Sequence, residues 1–140
     1  MWVFYALLSA LTASAVAILG KLGLKSIDST LATTIRSIVM TSFLVLVSLV
    51  LQKFQGFSLQ SFSQKDWLLI ILSGFAGATS WLFYFLALKT GLASGVSAID
   101  RLSIVFVVIL ASIFLAEALT WKSVLGSLLI VFGVLLISAK

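Results

Sequence analysis

The sequence contains no cysteine and no histidine. Without cysteine the chain forms no disulfide bond and offers no thiol nucleophile, and without either residue it lacks the commonest protein ligands of zinc and haem. It also lacks the side chain that most often acts as a general base in enzymes. We therefore expect no metal site, no cofactor and no enzymatic activity.

Charged residues are scarce as well. Four acidic and nine basic residues make up 9% of the 140 residues, whereas a typical soluble domain is about a quarter charged. Hydrophobic residues make up 62% of the chain, and the mean hydropathy is +1.30. So few polar side chains cannot cover a water-soluble core, and the sequence predicts an integral membrane protein. The basic residues do not cluster, so we expect no nucleic-acid partner, and they are typical of loop ends beside a lipid bilayer.

Five apolar runs are long enough to cross the hydrocarbon core, which needs a helix of roughly 20 residues. The predicted spans are residues 2–20, 33–51, 67–88, 93–119 and 124–139. Runs of this length are typical of helices rather than barrel strands, in which apolar residues alternate with a period of two. The connections are too short to hold an extramembrane domain. We therefore predict an all-α five-helix bundle, one transmembrane domain over residues 1–140, in the cell membrane and most naturally in a prokaryotic inner membrane.

The basic residues set the orientation of the chain only weakly. Because the chain has five spans, alternate connections share one side of the membrane. One side carries Lys21, Lys25, Arg36, Lys89, Arg101 and Lys140, and the other carries Lys53, Lys65 and Lys122. The larger set favours a cytoplasmic C-terminus, but the excess falls to a single residue if Arg36 and Arg101 lie within the membrane. Insertion in both orientations therefore stays open as an alternative.

The third span carries small residues on one helical face. Gly74 and Gly77 lie on it, and such faces let another helix approach closely in lipid. They are candidates for helix packing, although small residues also occur in membrane helices without this role. Trp81 and Tyr84 continue the same face toward the end of the span. Both are candidates for lining a cavity that holds an organic ligand, and both would serve equally as packing residues.

Asp100 and Arg101 stand together near the start of the fourth span, and two interpretations are open. In the first, Ser97 is the N-cap of the helix and Asp100 is its third residue, as in a capping box. In the second, the helix begins near Ala93, so both charges lie roughly 10 Å along it. A charge there costs at least ~2.5 kcal/mol against lipid, and each would need a partner or a ligand. Arg36 is a candidate partner for Asp100.

Glu117 lies near the end of the predicted fourth span, shortly before Lys122. There it is solvated or paired with Lys122, and a carboxylate at a helix C-terminus opposes the helix dipole. A role in coupling or in substrate binding is the alternative.

The final part of the chain, residues 83–138, resembles the last two spans of an EamA-type domain of the drug/metabolite transporter superfamily. The pattern is a helix ending in Y-x-x-A-L, a loop of small residues, a long apolar helix ending in L-x-x-E, and then G-x-x-L-I-x-x-G-V-x-L. Here these positions are Tyr84, Ala87, Leu88, Glu117, Gly126, Leu129, Ile130, Gly133, Val134 and Leu136. Glu117, Gly126 and Gly133 are its signature residues, and the looser match of the first spans extends the resemblance over one whole domain.

The resemblance implies a membrane transporter or exporter of a small organic solute. Most members carry two such five-span repeats of opposite orientation, with the substrate site between them near the membrane midplane. A chain with one repeat is then expected to act by alternating access as a homodimer, most naturally an antiparallel one. A non-transporting membrane subunit that supports a partner transporter is the alternative.

The resemblance also bears on the fourth span. It favours the interpretation in which Asp100 and Arg101 are embedded and face a transport cavity with Arg36, Trp81 and Tyr84. Asp100 is then the best candidate for a coupling carboxylate. The proline usual in the middle of this span is missing, and the whole chain has none. We therefore expect a straighter fourth helix, in which any break must come from glycine or a polar insertion.

Overall fold

The computed structural model describes residues 1–139. These residues form helices and no β-strand. The helices are α1 (Trp2–Gly23), α2 (Ser29–Val50), α3 (Gln64–Thr90), α4 (Ala93–Asp100), α5 (Ser103–Phe114) and α6 (Trp121–Ser138), with a 3₁₀ turn at Leu59–Ser61. Five segments are long and apolar enough to cross a membrane, and α4 and α5 together form the fourth. The predicted all-α membrane bundle is thereby confirmed.

The helices are grouped into two compact units. The first contains residues 1–21 and 90–139, and the second contains Leu22–Lys89. In the first unit, α6 packs against α4 and α5. The buried side chains of this unit are small: Ala17, Ala98, Ala111 and Val134. Small side chains at contacts let helix backbones approach closely, which is how helices associate in lipid. The ammonium group of Lys21 donates to the carbonyl oxygen of Gly91 at 2.8 Å and joins the two segments of the unit.

The second unit is a helical hairpin of α2 and α3. Its two ends meet where the ammonium group of Lys89 donates to the carbonyl oxygen of Ile27 at 3.3 Å. The buried residues of this unit are Leu24, Ser29, Thr33, Phe85 and Leu88. The hydroxyl of Thr33 donates to the carbonyl oxygen of Ser29 at 2.7 Å, so this buried polar group has a partner inside its own helix.

Side-chain caps fix where α2 and α3 begin. The carboxylate of Asp28 accepts from the backbone N–H groups of Thr30 at 2.9 Å and Leu31 at 3.0 Å. These bonds, the one from Leu31 above all, hold the pKa of Asp28 below its ordinary value. At α3, Ser63 and Asp66 form a reciprocal capping box. The Ser63 N–H donates to the Asp66 carboxylate at 3.0 Å, and the Asp66 N–H donates to the Ser63 hydroxyl at 3.2 Å.

A Schellman motif closes α2. The N–H of Lys53 donates to the carbonyl oxygen of Ser48 at 2.9 Å, and the N–H of Gln52 donates to that of Leu49 at 3.0 Å. This geometry needs a residue in the left-handed region, and Gln52 takes it with a φ of 55°. Glycine usually occupies this position because its missing Cβ removes the steric penalty.

The fourth span is interrupted. It begins at Ala93, eight residues make up α4, and α5 resumes at Ser103. At the break, the N–H of Arg101 donates to the carbonyl oxygen of Ala98 at 3.0 Å and that of Leu102 donates to Ile99 at 2.9 Å. These are i→i−3 bonds of a tighter turn. The fourth span is therefore interrupted where a straighter helix was expected, and the break coincides with the polar pair Asp100–Arg101. A polar insertion is one of the two causes of a break that the sequence left open.

The start of α4 also decides between the two interpretations of this region. Ser97 is an interior residue of α4 and Asp100 is its last residue, so the capping box predicted at residues 97–100 is wrong. The N-cap is Leu92, which has no side-chain oxygen and makes no side-chain cap bond. The second interpretation, in which the helix begins near Ala93, describes the backbone correctly.

The fourth span also ends earlier than predicted. The last residue of α5 is Phe114 rather than residue 119. Ala116 adopts a left-handed conformation with a φ of 53°, and the N–H of Glu117 then donates to the carbonyl oxygen of Ala111 at 3.3 Å. Glu117 therefore lies in a non-helical, exposed segment before α6 and not in the last turn of a helix. The segment ends at Thr120, whose hydroxyl accepts from the N–H of Ser123 at 3.2 Å and caps α6.

Candidate functional site

Arg36 is the charged residue of α2, and it lies on the inner side of the hairpin. The helix begins at Ser29, so Arg36 is roughly 10 Å along a segment that can span the membrane. Its guanidinium carbon is 3.8 Å from the centroid of the Trp81 ring and 5.0 Å from that of Phe85. The negative ring faces attract the cation. The half-buried guanidinium is therefore stabilised by α3 instead of facing lipid.

Three aromatic residues of α3 form the surface on which Arg36 rests. The ring centroids of Trp81 and Tyr84 are 5.7 Å apart, those of Trp81 and Phe85 are 5.9 Å apart, and those of Tyr84 and Phe85 are also 5.9 Å apart. Tyr84 and Phe85 follow Trp81 by three and four residues, so their rings lie beside the Trp81 ring on the helix. Phe85 is 3% exposed and anchors the cluster. The cluster holds the Trp81 ring in place against Arg36.

Next to Arg36 a groove of about 290 Å³ separates α2 from α3. The residues of α2 that line it are Arg36, Ser37, Met40, Thr41 and Leu44. The residues of α3 that line it are Gly74, Gly77, Ala78 and Trp81. This volume is just below the usual range for ligand pockets, roughly 300–1,000 Å³. The groove is mostly apolar, with one cation and two hydroxyl residues at its side, which is a composition typical of small-molecule sites.

The glycines of α3 keep the groove open. A Cβ added at Gly74 or at Gly77 would meet no atom within 4 Å. Neither residue is therefore needed for a close contact between helices within the described chain. Their predicted role in helix packing stays a prediction.

The structure thus brings four of the predicted residues together. Arg36, Trp81, Gly74 and Gly77 line one groove, and Tyr84 supports it from the adjoining turn of α3. Sequence analysis missed the other residues that α2 contributes: Ser37, Met40, Thr41 and Leu44. Part of the signal was available, because Met40 and Leu44 follow Arg36 at spacings of four and eight residues and so share its helical face. Ser37 and Thr41 lie on the adjoining side of the helix.

Asp100 and Arg101 lie at the break between α4 and α5, and both side chains are exposed. They belong to the first unit, whereas Arg36 belongs to the second. The pairing of Arg36 with Asp100, the location of Asp100 and Arg101 in a cavity, and the coupling role of Asp100 all stay predictions.

The signature residues are found around the last helix. Glu117 precedes α6 in an exposed segment, and Gly126 and Gly133 lie within α6, where both are half-buried. A Cβ added at either glycine would meet no atom within 4 Å. Their spacing of seven residues places them on one face of the helix.

Comparison with known proteins identifies the family. The model of the EamA-like transporter family matches residues 1–139. The chain belongs to this family. An uncharacterized transporter in the cobO 3' region of a Sinorhizobium species is 40% identical over 137 residues, which cover 98% of this chain and 96% of that one. The uncharacterized transporter YvbV of Bacillus subtilis is 33% identical over 110 residues, which cover 74% of this chain and 36% of that one. No solved structure matches the chain.

The predicted resemblance is therefore confirmed as membership of the EamA-like family, represented here by one such domain. The protein is a multi-pass membrane protein of a transporter family.

Proposed function

We propose that the protein moves a small organic solute of the drug or metabolite class across the cell membrane by alternating access, as a dimer of five-span protomers. The observation that carries this proposal is the groove between α2 and α3, where a cation, an aromatic ring and two hydroxyl residues line a site between two membrane-spanning helices. A charged side chain inside the bilayer is costly and is usually functional. This set of side chains is therefore not expected on a surface that only contacts lipid.

The relatives support the dimer. The match to the Bacillus transporter covers 110 residues and 36% of that chain, so that protein is long enough for two repeats. The Sinorhizobium relative is matched over 96% of its length, so a chain of one-repeat length also occurs in the family. Two copies of a single repeat supply the same number of spans as one chain with two repeats. An antiparallel pair reproduces the inverted arrangement in which secondary transporters bind substrate between repeats.

Asp100 and Arg101 belong to this proposal through the break in the fourth span. Broken membrane helices often form substrate and ion sites in transporters, because their exposed backbone groups are tolerated only where they line a cavity. We assign the two side chains to the cavity between protomers and Asp100 to ion coupling. In one protomer both are exposed, as this role requires.

Transport is tested with the purified protein in liposomes, by recording currents or uptake for a panel of amino acids, aromatic carboxylates and organic cations. Flux of at least one compound above that of empty liposomes is expected. Asp100→Asn and Arg101→Gln should reduce it strongly. Lys122→Gln is the matched control, because Lys122 is an exposed charge in the first turn of α6. Absence of flux across the panel would instead favour the supporting-subunit function.

The antiparallel dimer is tested by labelling single cysteines at Ser26 and Gln60, two exposed positions in the connections on either side of α2. The chain has no cysteine of its own to interfere. Labelling of each site from both sides of the membrane in comparable fractions is expected. If each site labels from one side only, the homodimer is not antiparallel.

A further inference from the structure

Neither carboxylate of the second unit serves as a counter-ion for Arg36. Residues 22–89 contain two acidic side chains, Asp28 and Asp66. Asp28 caps α2 and accepts from Thr30 and Leu31, whereas Asp66 is bound by Ser63 at the start of α3. Both are therefore engaged at helix ends. Within this unit the guanidinium contacts aromatic rings, which stabilise a cation but accept none of its N–H groups as a carboxylate would.

The stacking geometry leaves those N–H groups available to the groove. A distance of 3.8 Å from the guanidinium carbon to the Trp81 ring centroid is typical of two planar groups stacked face to face. The N–H donors of a guanidinium lie in its own plane, so stacking uses the face and leaves the edge free. Arg36 lines the groove, and its forked edge matches the two oxygens of a carboxylate or phosphate.

The other residues that line the groove indicate the size and polarity of the rest of the ligand. Met40, Leu44 and Ala78 offer apolar surface, and the open positions beside Gly74 and Gly77 give it room. A volume of about 290 Å³ suits a group of one ring or a short chain rather than a large drug.

We propose that the groove between α2 and α3 binds an organic anion, with its oxyanion held by the edge of Arg36 and its apolar body lying along α3 beside Trp81. This deepens the proposed function, because it assigns the solute to the class of small organic anions. The same chemistry is present in two sources, a soluble carboxylate and the phosphate of a lipid headgroup.

The test uses Trp81 as the reporter. Trp2, Trp67 and Trp121 are exposed, so their replacement by Phe leaves Trp81 as the one emitting indole. The full chain is placed in nanodiscs of phosphatidylcholine and titrated with benzoate, benzyl alcohol and benzylamine, which share a ring and differ in charge. A second set of nanodiscs contains increasing phosphatidylglycerol without added solute.

A saturable change of Trp81 emission with benzoate, but not with the alcohol or the amine, is expected. Arg36→Gln should weaken this binding by roughly tenfold or more, since a charge-assisted hydrogen bond is lost. Gly77→Leu, which keeps Arg36 but fills the groove, should weaken it as well, and an unchanged circular dichroism spectrum checks its fold. A response confined to phosphatidylglycerol and lost in Arg36→Gln would identify a lipid headgroup as the anion.

Three results overturn the inference: equal responses to the amine or alcohol, no response to benzoate or phosphatidylglycerol, and a benzoate response that persists in Arg36→Gln. The proposed function is tested separately, by flux in liposomes. Anion binding without flux in liposomes would leave the groove as an anion site in a protein that does not transport. Flux of neutral or cationic solutes without anion binding would leave transport intact and remove the assignment of the solute class.

Discussion

The guanidinium carbon of Arg36 lies 3.8 Å from the centroid of the Trp81 ring. This contact joins α2 to α3 and places a cation in the wall of a groove inside the bilayer-spanning part of the hairpin. It therefore connects the stability of the hairpin with the chemistry proposed for the groove.

The Arg36–Trp81 contact should contribute measurably to stability. We expect a double-mutant cycle of Arg36→Gln and Trp81→Leu, followed by thermal unfolding in detergent, to give a coupling free energy of about 1 kcal/mol. Trp81→Phe is the matched control, because it keeps a ring beside Tyr84 and Phe85 and should retain part of the coupling. Additive effects of the two single variants would show that the ring does not stabilise the cation.

Gln52→Gly should stabilise the protein. Gln52 occupies the left-handed position of the Schellman motif with a φ of 55°, and an L-residue there is disfavoured by roughly 1–2 kcal/mol relative to its ordinary conformations. We expect the free energy of unfolding to rise by about 1 kcal/mol, because glycine adopts this conformation without that penalty. Gln52→Ala keeps the Cβ and should give no comparable gain. A destabilised glycine variant would mean that the left-handed turn is not the dominant native conformation.

Ser63→Ala should destabilise the start of α3. The variant removes the hydroxyl that accepts from the Asp66 N–H at 3.2 Å and donates to its carboxylate at 2.7 Å. Loss of an N-cap typically costs about 1 kcal/mol. Ser63→Thr keeps the hydroxyl and should remain close to the native protein. The measurement is hydrogen exchange of the first turn of α3 together with the midpoint of thermal unfolding.

Asp28 should make the stability of α2 dependent on pH. Its pKa in the folded protein is lowered, first by the bond from the Leu31 N–H. Its contribution is therefore complete above the pKa of the unfolded chain, about 3.9, and is lost as the pH falls through the lower folded value. Asn is also a good N-cap but does not titrate, so Asp28→Asn should flatten this part of the profile. An identical acid limb in the two proteins would show that Asp28 does not contribute to it.

Hydropathy was sufficient for the number of spans, because each apolar run must cross the same thickness of hydrocarbon. It was insufficient for the ends of the helices, which depend on local hydrogen bonds. The pattern S-x-x-D occurs at residues 63–66 and again at residues 97–100. In the structure the first is a capping box and the second lies inside and at the end of α4. The difference comes from the residues before each Ser, since Ala93 already begins a helix upstream of Ser97.

The groove could not be predicted from the sequence for a different reason. Arg36 and Trp81 were each candidates on chemical grounds, but they lie 45 positions apart in the sequence. Only the pairing of α2 with α3 brings them together. The interruption after Asp100 was predictable in kind but not in position, since a chain without proline leaves glycine or a polar insertion as the cause of a break and the span has both.

The second unit is one continuous stretch of chain, Leu22–Lys89, whereas the first is assembled from both ends of the protein. During synthesis, every residue of this hairpin therefore leaves the ribosome before the first residue of α4. α2 alone would present Arg36 to lipid at a cost of at least ~2.5 kcal/mol, and α3 supplies the ring that offsets part of it. Insertion of these two helices as a pair is thus favoured over insertion one by one.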